Sequence, residues 1–216
     1  MKILELFAGS RSFGSIAESE GNEVFSVDWK PFPGINLQAD IGAMKITDVP
    51  FVPDIIWASP DCATYSIAAI GHHRNGVLPK TDYARFCDNV NTNVIRLIND
   101  FCIVNPDCKF FIENPRGMLR KMPFMKGIDR ATVWYCQYND FRAKPTDIFS
   151  NHIKNLYNPK GWQPRPPCYN ERRTCHHERS PRHEKRKGTN SLKNSFERSK
   201  IPVELCREIL HSCNDL

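Results

Sequence analysis

Nowhere in its 216 residues does the chain hold the roughly 20 consecutive apolar residues that cross a bilayer; its apolar residues come in short groups such as Ile55-Ile56-Trp57-Ala58 and Phe110-Phe111-Ile112. Met1-Lys2-Ile3 enters one of these groups directly, without the charged stretch and longer apolar core of a secretory leader. The expectation is therefore a soluble, intracellular protein with no membrane partner. Glycine is scarce where nucleotide loops need it: none of the 11 glycines stands in a Gly-x-Gly-x-x-Gly array, which excludes the plain dinucleotide fingerprint. Paired Cys-x-x-Cys knuckles are absent too, and no segment repeats. The nine cysteines are an odd number scattered through apolar surroundings, at Cys87, Cys102 and Cys136 among others. That usage fits reduced thiols rather than a disulfide framework, and Cys108 and Cys206 read as packing residues.

What the chain does have is an alternation of short apolar strands with helices, the pattern of an open α/β sheet. Lys2 to Phe7 reads as a buried strand, Ala8 to Gly14 as a small-residue turn, and Ser15 to Glu20 as a helix stopped by Gly21. The next strand, Glu23 to Val27, delivers Asp28 about 20 residues after the loop, where a carboxylate can accept from ribose hydroxyls. Trp29 beside it offers a face for a purine. A ligand without a pyrophosphate has less need of the missing glycines, because no polyanion has to approach the helix N-terminus. Two further strand ends carry chemistry. Asp54 to Ala58 is followed by Ser59-Pro60-Asp61-Cys62-Ala63-Thr64-Tyr65-Ser66, a thiol just past the carboxyl end of a strand, where ligands of such sheets gather. Lys109 to Ile112 runs into Glu113-Asn114 and is stopped by Pro115 and Gly117, on the same sheet edge. Taken singly, a cysteine is more often packing and a strand-end acid more often solvated.

Asp82 to Val104 has helical spacing, with Phe86, Val90, Val94, Leu97, Ile98 and Phe101 as its core stripe. Ile67 to Lys80, including His72 and His73, reads as a mobile loop, and Met118, Leu119, Met122 and Met125 as local packing. Residues 160–200 hold twelve Lys or Arg against four Glu, a balance of +8 where the whole chain carries +6. The densest part runs from Arg172 to Lys187 and suits either a phosphate-tracking surface or a solvated insertion. Cys168, Cys175, His177 and His183 in this segment offer thiolate and imidazole to zinc, in a spacing that matches no standard finger. A metal would supply folding energy to a region whose main large apolar anchor is Trp162.

In this order the strand-end motifs resemble the cytosine-C5 methyltransferase family that uses S-adenosylmethionine. Leu4-Glu5-Leu6-Phe7-Ala8-Gly9-Ser10 is similar to its first cofactor motif, Asp28-Trp29 to its ribose-binding acid and apolar neighbour, and Asp40-Ile41 to the aspartate that meets the adenine. The stretch from Ser59 and Pro60 to Ser66 is similar to its nucleophile loop and Glu113-Asn114-Pro115 to its Glu-Asn motif. The likeness covers residues 1–150 and resumes at Ser199-Lys200-Ile201-Pro202. It implies a doubly wound, Rossmann-like methyltransferase sheet with a small basic appendage: a catalytic domain over 1–150, a recognition segment over 151–198, and a returning segment over 199–216 that completes the cofactor pocket. The cofactor residues would be Phe7, Ala8, Gly9, Ser10, Asp28, Trp29, Asp40, Ile41, Ser59 and Pro60. The implied chemistry has the Cys62 thiolate add to C6 of a cytosine rotated out of double-stranded DNA, Glu113 stabilising the ring at N3, and Asn114 fixing the loop. That role asks for a lowered Cys62 pKa and a Glu113 buried beside the base, with the loop from Ile67 to Lys80 closing over it. The compact motifs look phage-like, which implies the cytoplasm of a bacterial or phage-infected cell.

The chain also departs from the family. Asp61 stands where a second proline is usual and Ala63 where a glutamine is usual; Arg11 and Ser12 replace glycines. Tyr138 to Thr146 begins like a later family strand but lacks its Gln-x-Arg-x-Arg cluster, for which Arg142 or Lys144 would have to substitute. Three alternatives follow: an RNA cytosine methyltransferase with the same chemistry, a nucleic-acid-binding homologue that has lost catalysis, or transfer of a modified one-carbon group, prompted by Arg11.

Overall fold

The computed structural model of the chain describes residues 1–168 and 194–214. In chain order the elements are β1 (Lys2–Leu6), α1 (Gly14–Ser19), β2 (Glu23–Asp28), β3 (Leu37–Gln38), β4 (Ile55–Ala58), α2 (Ile70–His73), β5 (Arg74–Asn75) and β6 (Leu78–Pro79). After them come α3 (Asp82–Val104), β7 (Lys109–Pro115), β8 (Arg130–Trp134), β9 (Pro145–Ser150), α4 (Ser195–Ser199) and α5 (Val203–Ser212). Seven strands form one sheet in the order β3-β2-β1-β4-β7-β9-β8, while β5 and β6 make a separate hairpin. The first five in that order are parallel, and β9 runs antiparallel to both β7 and β8. This is the open α/β sheet that the alternation predicts, wound in the Rossmann-like order that the family resemblance implies.

The strands read as continuous apolar runs because both faces are covered. Side chains alternate between the faces: Leu4, Leu6, Ile56, Ala58, Phe110 and Ile112 join the core under α3, which contributes Val94, Leu97, Ile98 and Phe101. Ile3, Ile55, Trp57 and Phe111 point the other way, into a second core with Ala17 of α1 and Leu205, Ile209 and Leu210 of α5. Trp57 lies flat against Phe13, with ring centroids 4.4 Å apart. Burying side chains of this size contributes about 2 kcal/mol each, so the two layers hold the strand ends in fixed register. Thr81 starts α3 by accepting the Ala84 amide on its hydroxyl at 3.2 Å, an N-cap.

Because β1 lies between β2 and β4, the winding direction reverses at β1, and a crevice opens beyond the carboxyl ends of β1 and β4. The turns after Leu6, Asp28, Ala58 and Asn114 therefore face one edge.

Several expectations need correcting. The stretch from Ile67 to Lys80 is a short helix and hairpin anchored by the fully buried side chain of Arg74, not an unattached loop. Tyr138 falls in a 3-10 turn over Tyr135–Tyr138, between β8 and β9 rather than in a strand. Phe86 does not join the core stripe of α3; it is 54% exposed. Residues past 150 continue into the body of the fold: Ile153 and Trp162 are buried with α5, and Arg165 bonds Glu204 at 2.7 Å and Glu208 at 2.8 Å. No helix among the described residues is long and apolar enough to cross a membrane.

Candidate active site

The turn after β1 carries three positive φ angles in five residues, at Phe7 (57°), Gly9 (44°) and Arg11 (51°). For Phe7 and Arg11 this is a costly backbone, of the kind that collects at ligand clamps. Its effect is to aim the Gly9 amide at Asp28 Oδ2, 3.0 Å away, while Lys30 donates its amide to Oδ1 at 3.0 Å. Ala8 is tied to the Val27 carbonyl at 3.1 Å. The Asp28 carboxylate is thus fixed at the end of β2 with acceptor capacity to spare. Trp29 beside it is 64% exposed, and Lys30 Nζ sits 4.7 Å from its ring centroid. Asp40 accepts the Gly42 amide at 2.9 Å and so caps the turn that buries Ile41. Ser10 and Ser12 share a hydroxyl bond at 2.8 Å, and Ser12 Oγ accepts the Ile201 amide at 3.1 Å. The segment just before α5 is thereby fastened to the turn after β1, and Phe196 of α4 comes within 6.0 Å of Phe32.

Arg11 leaves this edge. Its guanidinium bonds Glu18 at 2.6 Å and Ser26 at 3.1 Å and lies 3.7 Å from the buried Glu5 carboxylate. Desolvation raises the pKa of Glu5 despite bonds from Ser26 and Gly14. Arg11 is committed to these partners, which removes the free cation that prompted the modified one-carbon reading.

Across the crevice, Ser59 donates its amide to the Leu6 carbonyl at 3.2 Å and accepts Trp57 Nε1 at 2.9 Å. The Pro60 carbonyl accepts Asn114 Nδ2 at 2.9 Å, which joins the turn after β4 to the end of β7. Asp61 accepts the Ala63 amide and the Tyr83 hydroxyl, each at 2.6 Å. The Cys62 carbonyl takes the amides of Tyr65 at 3.0 Å and Ser66 at 2.9 Å, and the residue as a whole is partly exposed. Behind this turn Arg74 bonds the Thr64 carbonyl at 2.8 Å and Asp88 at 2.7 Å, Tyr65 donates to Asp88 at 2.7 Å, and Asn91 donates to Tyr65 at 3.0 Å. The cysteine turn is therefore braced against α3 by a buried polar network.

Glu113 is buried at the end of β7, accepts the Tyr135 hydroxyl at 2.8 Å and lies 3.8 Å from Lys144 Nζ. Lys144 also donates to the Arg198 carbonyl at 3.3 Å and sits over the Tyr135 ring, 4.7 Å from its centroid. Asn114 Oδ1 is buried with no hydrogen-bond partner. Burial pushes the Cys62 thiol up; the Lys144 charge opposes this, and the charges of Glu113 and Asp61 reinforce it. The lowered thiol pKa that the chemistry suggests is corrected accordingly: desolvation outweighs the lysine.

The geometry thus brings together Cys62, Glu113, Asn114, Ser59 and Pro60 on one side and Gly9, Asp28 and Trp29 on the other. Arg142 is placed differently. It chelates Asp140 and donates to the carbonyls of Arg198 at 3.1 Å and Lys200 at 2.9 Å, so Lys144, not Arg142, is the cation beside Glu113. Tyr135 and the Arg74 network escape sequence reading because their partners lie far along the chain. Of the zinc set, Cys175, His177 and His183 lie outside the described residues; Cys168 is within them, and among the described residues no cluster of three or more metal-ligating side chains occurs.

No protein-family model matches the sequence, and no curated protein matches it. Solved structures do match. A methyltransferase of Entamoeba histolytica, EhMeth, aligns over 78% of this chain and 57% of its own at 13% identity, with a TM-score of 0.54. The Dnmt2 methyltransferase of S. pombe aligns over 69% and 48% at 14% identity, with a TM-score of 0.47. The chain spans about half the length of these proteins, and what it shares with the Entamoeba protein is the fold.

Proposed function

We propose that the chain is an S-adenosylmethionine-dependent methyltransferase that modifies C5 of cytosine in DNA through Cys62. The observation that carries this reading is the meeting, on one sheet edge, of a partly exposed cysteine, a buried glutamate and a lysine whose charge reaches both. Packing requires none of the three. The methyltransferase fold shared with the Entamoeba protein supports it.

The opposite side of the crevice suits a cationic nucleoside. Asp28 retains acceptor capacity for ribose hydroxyls, Trp29 presents an open ring, and Arg11, which would repel a sulfonium, is drawn away. When bound, the cofactor supplies an electrophilic methyl group. The chain's residues prepare the acceptor: Cys62 Sγ adds to C6 of the base, and the displaced π electrons move toward C5 and N3. Glu113, positioned by the Tyr135 hydroxyl and Lys144, shares a proton with N3 so that the charge does not accumulate there. After methylation the C5 proton leaves to a base, the C6–S bond breaks, and the thiolate returns. Asn114 holds the cysteine turn through Pro60. A duplex cytosine must first be rotated out, at a cost of a few kcal/mol.

Nucleoside mass spectrometry on nucleic acids from cells that lack cytosine methylation and express the chain tests this. 5-Methyldeoxycytidine that disappears in Cys62→Ala is the expected result. Modification confined to RNA would move the substrate to RNA, a heavier cytosine adduct would change the group transferred, and modification surviving in Cys62→Ala would end the covalent mechanism.

A further inference from the structure

From the cysteine turn a row of rings runs outward over the first turns of α3. Tyr83, whose hydroxyl bonds Asp61 next to Cys62 at 2.6 Å, is stacked on Phe86 with centroids 6.5 Å apart and planes 18° from parallel. His73 lies 6.1 Å from Tyr83, and His72 lies 4.7 Å from His73. His73 is set in place by Nδ1, 3.0 Å from the Thr81 hydroxyl that caps α3. Tyr83 is 43% and Phe86 54% exposed, with exposed Ile67 and Leu78 in the adjoining segments. Tyr83 and Phe86 occupy positions i and i+3, so they share a helix face. That face is turned from the core, although the helical period of the sequence would place Phe86 inside it.

We infer that this ring row is a stacking platform for unpaired bases next to the target cytosine, so that the substrate is single-stranded or locally unpaired nucleic acid. The inference rests on the proposed function for the identity of the neighbouring site. Two features favour bases over an apolar protein surface. Its parallel pair is Tyr83 on Phe86, with His73 tilted 60° to Tyr83 and His72 edge-on to His73 at 80°, and these polar-edged rings offer π faces to a base and still tolerate water. It is continuous with the cysteine turn through Tyr83 and Asp61, so a strand whose cytosine reaches Cys62 passes directly over it. The charges beside the rings are balanced, Arg85 paired with Asp82 at 2.6 Å and Lys80 bonded to the Gly71 carbonyl at 2.8 Å, so the rings and not a positive field carry the contact. Paired bases in a duplex offer only their edges in the grooves, so the platform discriminates by strandedness rather than sequence.

Fluorescence anisotropy of a labelled single-stranded deoxyoligonucleotide containing cytosine, beside its blunt duplex, measures this on the full chain. Phe86→Ala should weaken single-strand binding about tenfold, Phe86→Trp should restore it, and Cys62→Ala should leave it intact. Tyr83→Phe, which keeps the ring and loses the Asp61 bond, should bind normally. Because Phe86 is largely exposed, melting temperatures of both Phe86 variants should match the parent, which separates lost stacking from lost folding. Unchanged single-strand binding in Phe86→Ala overturns the platform, and so does ring-dependent binding that is equally tight for the blunt duplex. Absence of Cys62-dependent methylation with ring-dependent binding retained would remove the proposed reaction and leave the platform standing.

Discussion

The Cys62 thiol lies in opposing fields: burial and the nearby carboxylates of Glu113 and Asp61 disfavour the thiolate, while the Lys144 charge and, more weakly, a backbone hydrogen bond favour it. Its pKa is therefore above the ordinary thiol value of about 8.5, and the thiolate fraction at neutral pH is small. The sign follows directly. If the thiolate attacks, log kcat/KM should climb with a slope of about one per pH unit from about pH 6.5 to 8.5. Lys144→Met deletes the one lowering charge and should cut the rate near pH 7.5 about tenfold, with the rising limb displaced to higher pH; Lys144→Arg should keep the limb near its place. A profile flat over this range in both the parent and Lys144→Met would show that Lys144 does not set the nucleophile's charge.

At the level of elements, the cysteine turn depends on a brace that local sequence gives no hint of. The Arg74 side chain is fully buried, with Thr64 and Asp88 as its partners and Tyr65 and Asn91 completing the network. Arg74→Ala removes the countercharge of the largely buried Asp88 carboxylate, leaving it only the Tyr65 hydroxyl, and the guanidinium donor of the Thr64 carbonyl, a loss of about 3 kcal/mol, which for a chain of this size is a fall in Tm of about 10 °C. Thermal unfolding followed by circular dichroism checks it; a fall of only a degree or two would mean that water replaces the guanidinium and the brace is weak. The same network shows where sequence reading stops. The strands β1, β2, β4 and β7, the whole of α3 and the gathering of Cys62, Glu113 and Asp28 at one sheet edge are legible because each rests on a local pattern: an apolar run, a helical period, a strand broken by an acid or a proline. Arg74 looked like one more charge in a polar loop, since Asp88 is 14 residues away. Phe86 was misplaced for a related reason: periodicity gives a side chain's face but not whether another element covers that face. The antiparallel pair β8 and β9 escapes sequence reading because neither is a plain apolar run: β8 opens on Arg130, and β9 starts at Pro145 and holds the buried Asp147.

Across the whole molecule, one arginine ties the edge that holds Glu113 to the turn after β1. Arg142 chelates Asp140 and donates to the carbonyls of Glu197 at 3.4 Å, Arg198 at 3.1 Å and Lys200 at 2.9 Å. One residue further, the Ile201 amide reaches Ser12 in the strained turn after β1. The path Asp140–Arg142–Lys200–Ile201–Ser12 holds the segment before α5 over that turn while Lys144, two residues from Arg142, faces Glu113. If Arg142 acts as this strap, Arg142→Ala should weaken S-adenosylmethionine binding about tenfold, a loss of about 1.4 kcal/mol, and leave kcat at saturating cofactor near the parent value. Lysine cannot reproduce a planar fork that serves a carboxylate and several carbonyls at once, so Arg142→Lys should recover little. Calorimetric titration of the cofactor beside steady-state kinetics distinguishes this from direct action on the base. A kcat that collapses while cofactor affinity holds would put Arg142 back beside Glu113, in the role its sequence position suggests, and would require it to exchange its Asp140 and carbonyl partners when substrate binds.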